Sequence, residues 1–255
     1  IRHDNGNTIR TIINRLELDL NYKVIGVMYD ENGQPIYDGR DFVRNSKQFG
    51  VPQNRPRTYI MAFDRAHYGE ELIRALPNLL PDHNDLNIYE DLNDLLEFGA
   101  EPRHYMSSGY LETLERHRER QKANGNGFGY IVVNRPEVEH PIANTLLATG
   151  GSGKERNLVF DPQDGIAGMI VPTKTTPLNA KGIRVMTPRE WGKLQGFIGY
   201  AFIENGVDTF SFPEGISDCQ KYKQFGNSVT IPVIETMARF MLECFEILGE
   251  LANIE

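Results

Sequence analysis

The chain has 255 residues, 27 Lys and Arg against 35 Asp and Glu, a net charge of −8 and 40% hydrophobic residues. That length holds one large domain or two ordinary ones with a substantial core, and the negative balance disfavours indiscriminate nucleic-acid binding by the whole surface. No run of eighteen apolar residues and no secretory signal occurs, so nothing points to a membrane.

The two cysteines, Cys219 and Cys244, make neither a disulfide framework nor a metal pattern, and they suit a reducing cytoplasm. The sequence begins with Ile1 rather than Met, which raises the expectation of a piece of a longer protein.

In chain order, "HDNGNTIRTIINRLELDLNY" supplies turn and cap residues. It then sets Ile9, Ile12, Ile13, Leu16 and Leu20 at spacings of three and four, predicting an amphipathic helix. "YKVIGVMYD" predicts a buried strand, closed by the turn Asp30-Glu31-Asn32-Gly33. "RTYIMAFD", Arg57 to Asp64, predicts a second strand, and the three elements look like one end of an α/β sheet.

Between Glu70 and Glu101 nine acids face one arginine, Arg74, so this stretch alone sums to −8. With Pro77 and Pro81 inside it, it reads as short helices and loops. From Arg103 to Asn157 eight Lys/Arg face six Glu, a balance of +2, which leaves room for a DNA-facing surface there.

"TLERHRERQKANGNGFGYIVVN" passes from a charged helix through a Gly/Asn loop to a short strand, and "IANTLLATGGSGKERNLVFD" reads as strand, glycine-rich loop, strand. In "VMTPREWGKLQGF", Thr187, Pro188 and Glu190 mark a helix start, with Leu194 and Phe197 packing behind it. The last helix is expected from Pro232 to Leu248.

Two short patterns invite a chemical reading. Gln53, Arg55 and Arg57 alternate into a strand, so their side chains should share one direction. By themselves they describe a solvated sheet edge; the sharper reading is a pair of guanidinium forks aimed at an anion or a carbonyl oxygen. Gly226, Asn227 and Ser228 precede a helix, where backbone N–H groups and the positive dipole end would meet a polar ligand, although most such loops only turn the chain.

Taken in order, "FGVPQNRPRTYI", "ANTLLATGGSGKERNLV", "TPREWGKLQGF" and "YKQFGNSVTIPV" resemble the C-terminal half of the bacterial DNA (cytosine-5)-methyltransferases, over nearly the whole chain. The resemblance implies an α/β fold: the C-terminal part of a Rossmann-like methyltransferase sheet plus a small, loop-rich, β-containing target-recognition domain. It also implies a division into residues 1–98 (catalytic domain), 99–205 (recognition) and 206–255 (return to the catalytic domain).

Such enzymes add a cysteine thiolate to a flipped cytosine and transfer a methyl group from S-adenosylmethionine to C5. The resemblance implies Arg57 as the donor to the base O2, supported by Arg55 and Gln53. It further implies Asn227, Ser228 and Val229 at the cofactor, and Thr145, Gly150, Gly151, Ser152, Lys154, Arg156, Arg135 and Asn126 at double-stranded DNA. The family's Pro-Cys nucleophile, its Phe-x-Gly-x-Gly cofactor motif and its Glu-Asn-Val motif are missing from this sequence. An N-terminal catalytic half, in the same protein or a separate subunit, is therefore the expected partner, and this chain alone is expected to be inactive. The same residues also fit a non-catalytic DNA-binding module or regulatory subunit derived from such an enzyme.

Overall fold

The computed structural model describes residues 4–127, 130–149 and 154–249. The chain forms two compact units. The first comprises Ile1–Gln48, Pro56–Asp85 and Pro232–Glu255, the second Phe49–Arg55 and Leu86–Ile231.

In the first unit, helix α1 (Asn7–Asn14) buries Ile9 and Ile13 and runs into a π-helical turn over Arg15–Asp19. The wider turn rotates the following residues out of step with a 3.6-residue stripe. Leu20 is accordingly exposed, as is Ile12, so the buried face is narrower than the spacing alone implies.

The expected strand at "YKVIGVMYD" stops early. β1 is only Tyr22–Val24 and is followed by Gly26 at φ +98°, where a Cβ would come within 3.2 Å of the Phe42 ring. The chain then turns into a hairpin of β2 (Met28–Tyr29) and β3 (Pro35–Ile36). "RTYIMAFD" also divides. β6 (Pro56–Thr58) pairs with β4 (Val43–Asn45), and β7 (Ala62–Asp64) pairs antiparallel with β1.

Among the described residues of this unit, three two-stranded antiparallel pairs stand where a section of a Rossmann-like sheet is expected. Prolines and positive-φ glycines interrupt the extended runs before a third strand can join. Ile9, Ile13, Val24, Val27 and Phe42 make the core of this unit.

A short helix, α2 (Arg65–Tyr68), precedes the acidic stretch and a second, α3 (Glu70–Ala75), opens it. Arg65 closes an ion pair with the buried Glu17 at 2.9 Å. The terminal helix, α8 (Ile231–Ile247), buries Val233, Met237, Phe240 and Cys244, and the Phe245 ring meets Phe63 edge-on at 5.8 Å.

The second unit carries β5 (Gln53–Asn54) in parallel pairing with β8 (Ala143–Asn144), and β9 (Leu158–Phe160) antiparallel to β10 (Ile183–Val185). Its helices are α4 (Leu92–Leu95), α5 (Ser108–Ala123), α6 (Pro188–Leu194) and α7 (Asp218–Asn227). The start of α6 is built as its sequence predicts. Thr187 and Glu190 complete a reciprocal capping box and proline fills the first turn. One apolar cluster gathers Leu92, Leu95, Leu146, Trp191, Leu194 and Phe225; a second gathers Met106, Leu111, Leu114, Leu158 and Ile183.

Candidate functional site

Four sequence-distant segments are tied together in the second unit by buried polar side chains. Gln53 is fully buried. Its amide nitrogen donates to the Leu194 carbonyl at 2.9 Å, and its oxygen accepts from the Leu146 N–H at 3.3 Å. Arg55, 3% exposed, donates to the carbonyls of Leu146 (2.8 Å), Gly226 (2.9 Å) and Ser228 (2.7 Å).

Gln195 closes the arrangement from the end of α6. Its amide donates to Phe225 O at 2.8 Å, its side-chain oxygen accepts from Thr230 Oγ1 at 2.8 Å, and its carbonyl accepts from Ile231 N at 2.9 Å. Charge-assisted bonds to buried carbonyls are among the stronger ones available, and they hold backbone rather than ligand.

The expected shared direction of Gln53, Arg55 and Arg57 is therefore corrected. Arg55 N–H bonds back to the Gln53 carbonyl at 3.0 Å, which turns the chain out of strict strand alternation. Gln53 and Arg55 are spent on scaffold, while Arg57 on β6 is exposed and sends Nη1 to the Pro56 carbonyl at 2.7 Å.

The Gly-Asn-Ser segment is corrected as well. It is the C-terminal end of α7, with Ser228 as its cap, rather than a loop at the mouth of α8. Glycine is required at 226 because a Cβ there would lie 2.4 Å from the Leu147 carbonyl oxygen and 2.6 Å from Ala148 N. The Ser228 hydroxyl donates inward to Phe225 O at 2.8 Å, whereas the Asn227 and Val229 side chains are exposed. Of the three proposed cofactor contacts, Asn227 and Val229 face outward and Ser228 is half-buried.

Thr145 donates its hydroxyl to Asn54 O at 2.7 Å and so joins the same knot. Arg156 is exposed, and its backbone lies beside Asn144, which donates to the Arg156 carbonyl at 2.9 Å and exchanges two further bonds with Asn157. Lys154 holds its ammonium 4.5 Å over the Tyr222 ring. Arg135 pairs with Glu137 at 3.1 Å on the surface, and Asn126 bonds to Gln121 at 3.2 Å just past the end of α5. Gly150, Gly151 and Ser152 lie outside the described residues.

Two groups carry no signal in the sequence, Gln195 and Arg184. Arg184 forms with Glu190 a fully buried guanidinium–carboxylate fork with bonds of 2.7 and 2.8 Å. Arg184 also reaches Asp161 at 2.6 Å, and Glu190 additionally accepts the N–H groups of Glu97 (2.8 Å) and Thr187 (2.7 Å). The carboxylates hold the Arg184 pKa above its ordinary value against the opposing pull of burial. Glu190 was legible as a capping acid, but its partner, six residues upstream on a strand, carried no local signal.

Among the described residues no group of three or more His, Cys, Asp or Glu is arranged to hold a metal ion, and no helix is long and apolar enough to cross a membrane.

Solved methyltransferases have a similar fold. A methyltransferase of Entamoeba histolytica superposes with a TM-score of 0.54 at 18% identity, covering 92% of this chain and 57% of that one. The S. pombe Dnmt2 methyltransferase gives 0.50 at 14% identity, covering 94% and 62%. At these identities the likeness is one of fold, the α/β fold of methyltransferases.

Sequence relatives are closer. The type II methyltransferase M.HpaII of Haemophilus parainfluenzae is 35% identical over 254 residues, covering 94% of this chain and 57% of the relative. A DNA-cytosine methyltransferase of Escherichia coli (strain K12) is 29% identical over 245 residues, covering 94% and 46%. The chain spans about half the length of the curated relatives it matches. The profile of C-5 cytosine-specific DNA methylases matches residues 1–243, and with that span, nearly all of both compact units, the chain belongs to the C-5 cytosine-specific DNA methylase family.

Proposed function

We propose that this chain is the C-terminal, target-recognising part of a sequence-specific DNA (cytosine-5)-methyltransferase, acting on double-stranded DNA in the bacterial cytoplasm. Residues 1–98 and 206–255 belong to its catalytic domain and 99–205 to its recognition domain. The observation that carries this reading is the buried knot of Gln53, Arg55, Gln195 and Gly226. It spends the inward-facing members of three motifs on backbone bonds and leaves their neighbours Arg57, Asn227 and Val229 exposed.

Arg57 is a permanently charged donor whose guanidinium, among the described residues, is bonded only through Nη1. It suits stabilisation of charge developing on a cytosine ring. Asn227 offers both a donor and an acceptor toward S-adenosylmethionine, with the Val229 side chain for its apolar parts. The cofactor supplies the methyl group when bound. Thr145, Lys154, Arg156, Arg135 and Asn126, together with Gly150, Gly151 and Ser152, are assigned to DNA contact.

The nucleophile comes from an N-terminal half. Neither cysteine follows a proline. Cys244 is buried within α8, and burial followed by the Glu243 charge raises its pKa to about 11, so it stays a thiol at neutral pH. The test is transfer of a tritiated methyl group to duplex DNA by this chain alone, by the N-terminal half alone and by both. Transfer is expected only from the combination. Transfer by this chain alone refutes the division of labour, and none from two folded halves refutes the assignment.

A further inference from the structure

We propose that the cleft between the start of α5 and the segment Thr173–Thr175 is a binding site for a phosphate group of the DNA backbone. The cleft has a volume of about 560 Å³ and is lined by Arg103, Ser107, Lys154, Thr173, Lys174 and Thr175, with the Tyr222 ring at one wall. It brings together three cations and three hydroxyl groups from parts of the chain up to about seventy residues apart, none of which the sequence reading joined.

The two carboxylates that share the cleft, Glu155 and Asp218, each have a partner within it, and Asp218 pairs with the cleft's own Arg103. Glu155 accepts from the Tyr110 hydroxyl at 2.9 Å, and Asp218 receives Arg103 at 3.4 Å and Lys221 at 3.1 Å. Among the described residues neither Lys154 nor Lys174 forms an ion pair. Lys154 is instead steered over the face of Tyr222, whose rigid position is fixed by its hydroxyl bond to Met186 O at 2.6 Å.

Lys174 is half-buried, and its pKa is lowered by that burial and then by the charge of Lys154. Two ammonium groups that line one cleft, neither of them ion-paired among the described residues, gain from an anion bound there. Positioning is local and firm. The Thr176 hydroxyl accepts from Gly109 N at 3.0 Å and the Pro177 carbonyl from Ser108 N at 2.8 Å, so the Thr-Lys-Thr segment is fastened to the first turn of a 16-residue helix. That turn contains no acid, and its dipole adds positive potential at the same place.

The donor types select the ligand. Reading a guanine edge calls for a planar, bidentate fork, whereas two lysines and hydroxyl groups are point donors that suit the rounded oxygen surface of a phosphate. The inference rests on the DNA reading above for the source of that phosphate; the chemistry of the cleft does not depend on it.

Two measurements on the 255-residue chain test it. In the first, acetylation of Lys154 and Lys174 is followed by mass spectrometry with inorganic phosphate, with duplex DNA and with neither. Both ligands should slow acetylation at these two lysines, DNA at far lower phosphate concentration, while Lys47 is unaffected. In the second, DNA affinity is measured against salt. Lys174→Ala should make the slope of log K against log salt shallower by about 0.9, the value of one phosphate contact, equally on all duplex sequences. Lys174→Arg should retain the slope.

A steep salt slope in the parent chain that Lys174→Ala leaves unchanged overturns the phosphate site while the DNA reading stands. Failure of the parent chain to bind any duplex overturns the DNA reading, and the DNA source with it. Protection of the lysines by inorganic phosphate but not by DNA overturns the assignment of this cleft to the DNA backbone.

Discussion

Replacing Arg55 by Ala separates two accounts of the same residue. If its guanidinium touched substrate, the substitution would change DNA binding or turnover and leave the fold intact. The structure instead spends it on three carbonyls, at 2.7 to 2.9 Å, from segments that lie 91 to 173 residues away in sequence. Hydrogen bonds from a charged donor contribute about 1.5–3 kcal/mol each. The Leu146 and Gly226 acceptors are buried, so water cannot take over there, while the Ser228 acceptor is partly reached by solvent. Two uncompensated bonds set the expected loss at about 3–6 kcal/mol.

For a unit of this size each kcal/mol lowers the melting midpoint by about 2–4 °C, so a fall of roughly 6–24 °C is expected. The assay is thermal and urea unfolding of Arg55→Ala and Arg55→Lys beside the parent chain, with Lys recovering only the part that one point donor can supply. A loss no larger than about 0.5 kcal/mol, the scale of an ordinary surface substitution, would refute the scaffold role.

Gly226→Ala should destabilise the second unit and loosen the end of α7, because the added Cβ meets backbone atoms at 2.4 and 2.6 Å that no rotamer change can move; unchanged urea unfolding would count against the close approach. Arg57→Ala should leave stability unaltered and lower methyl transfer by the complete enzyme by on the order of 10²–10³, the usual loss for an oxyanion-type donor; equal turnover would remove it from the chemistry. His104 adds a pH effect. Burial, then the Arg103 charge, push its pKa down to about 4, below the unfolded value of about 6.5. The unfolded chain therefore binds the proton first, so stability is full above about pH 6.5 and falls as pH drops toward 4, by about 2–3 kcal/mol. Unfolding of the parent chain and His104→Asn at pH 7 and pH 4.5 should show the difference narrowing in acid, and a constant difference would contradict the buried neutral imidazole.

What the sequence made legible was local. The α6 start needed only Thr187, Pro188 and Glu190, all within one turn, and the structure builds it as expected. The terminal helix was predicted within a residue at each end for the same reason. The strands were over-extended because the apolar runs continue through Gly26 and past Thr58 while the hydrogen-bonded ladders do not. The role of Gly226 was illegible for a different reason: the backbone that excludes a Cβ there belongs to Leu147 and Ala148, about eighty residues earlier. The reading of Gly-Asn-Ser as a ligand-facing loop followed from composition, and composition does not distinguish a glycine that approaches a ligand from one that approaches its own chain.

The same distinction runs through every motif of this chain. Glu190 is buried against Arg184, while Arg189, one residue earlier, reaches the surface and meets Glu97 at 3.1 Å. Gln53 and Arg55 face inward and Arg57 outward; Gly226 is buried and Asn227 exposed. Placing ionised and amide groups in the interior is expensive unless every polar atom finds a partner, and breaking one such pair strands the other charge. A chain that ties four separate segments together with such groups gains geometric definition rather than net stability, since each bond is satisfied only when all four segments are in register. Asn227 and Val229, exposed in the same unit, inherit that register. Substitutions at the inward positions should therefore register first as lost stability, and those at Arg57, Asn227 and Val229 as lost binding or turnover in a protein that still melts normally.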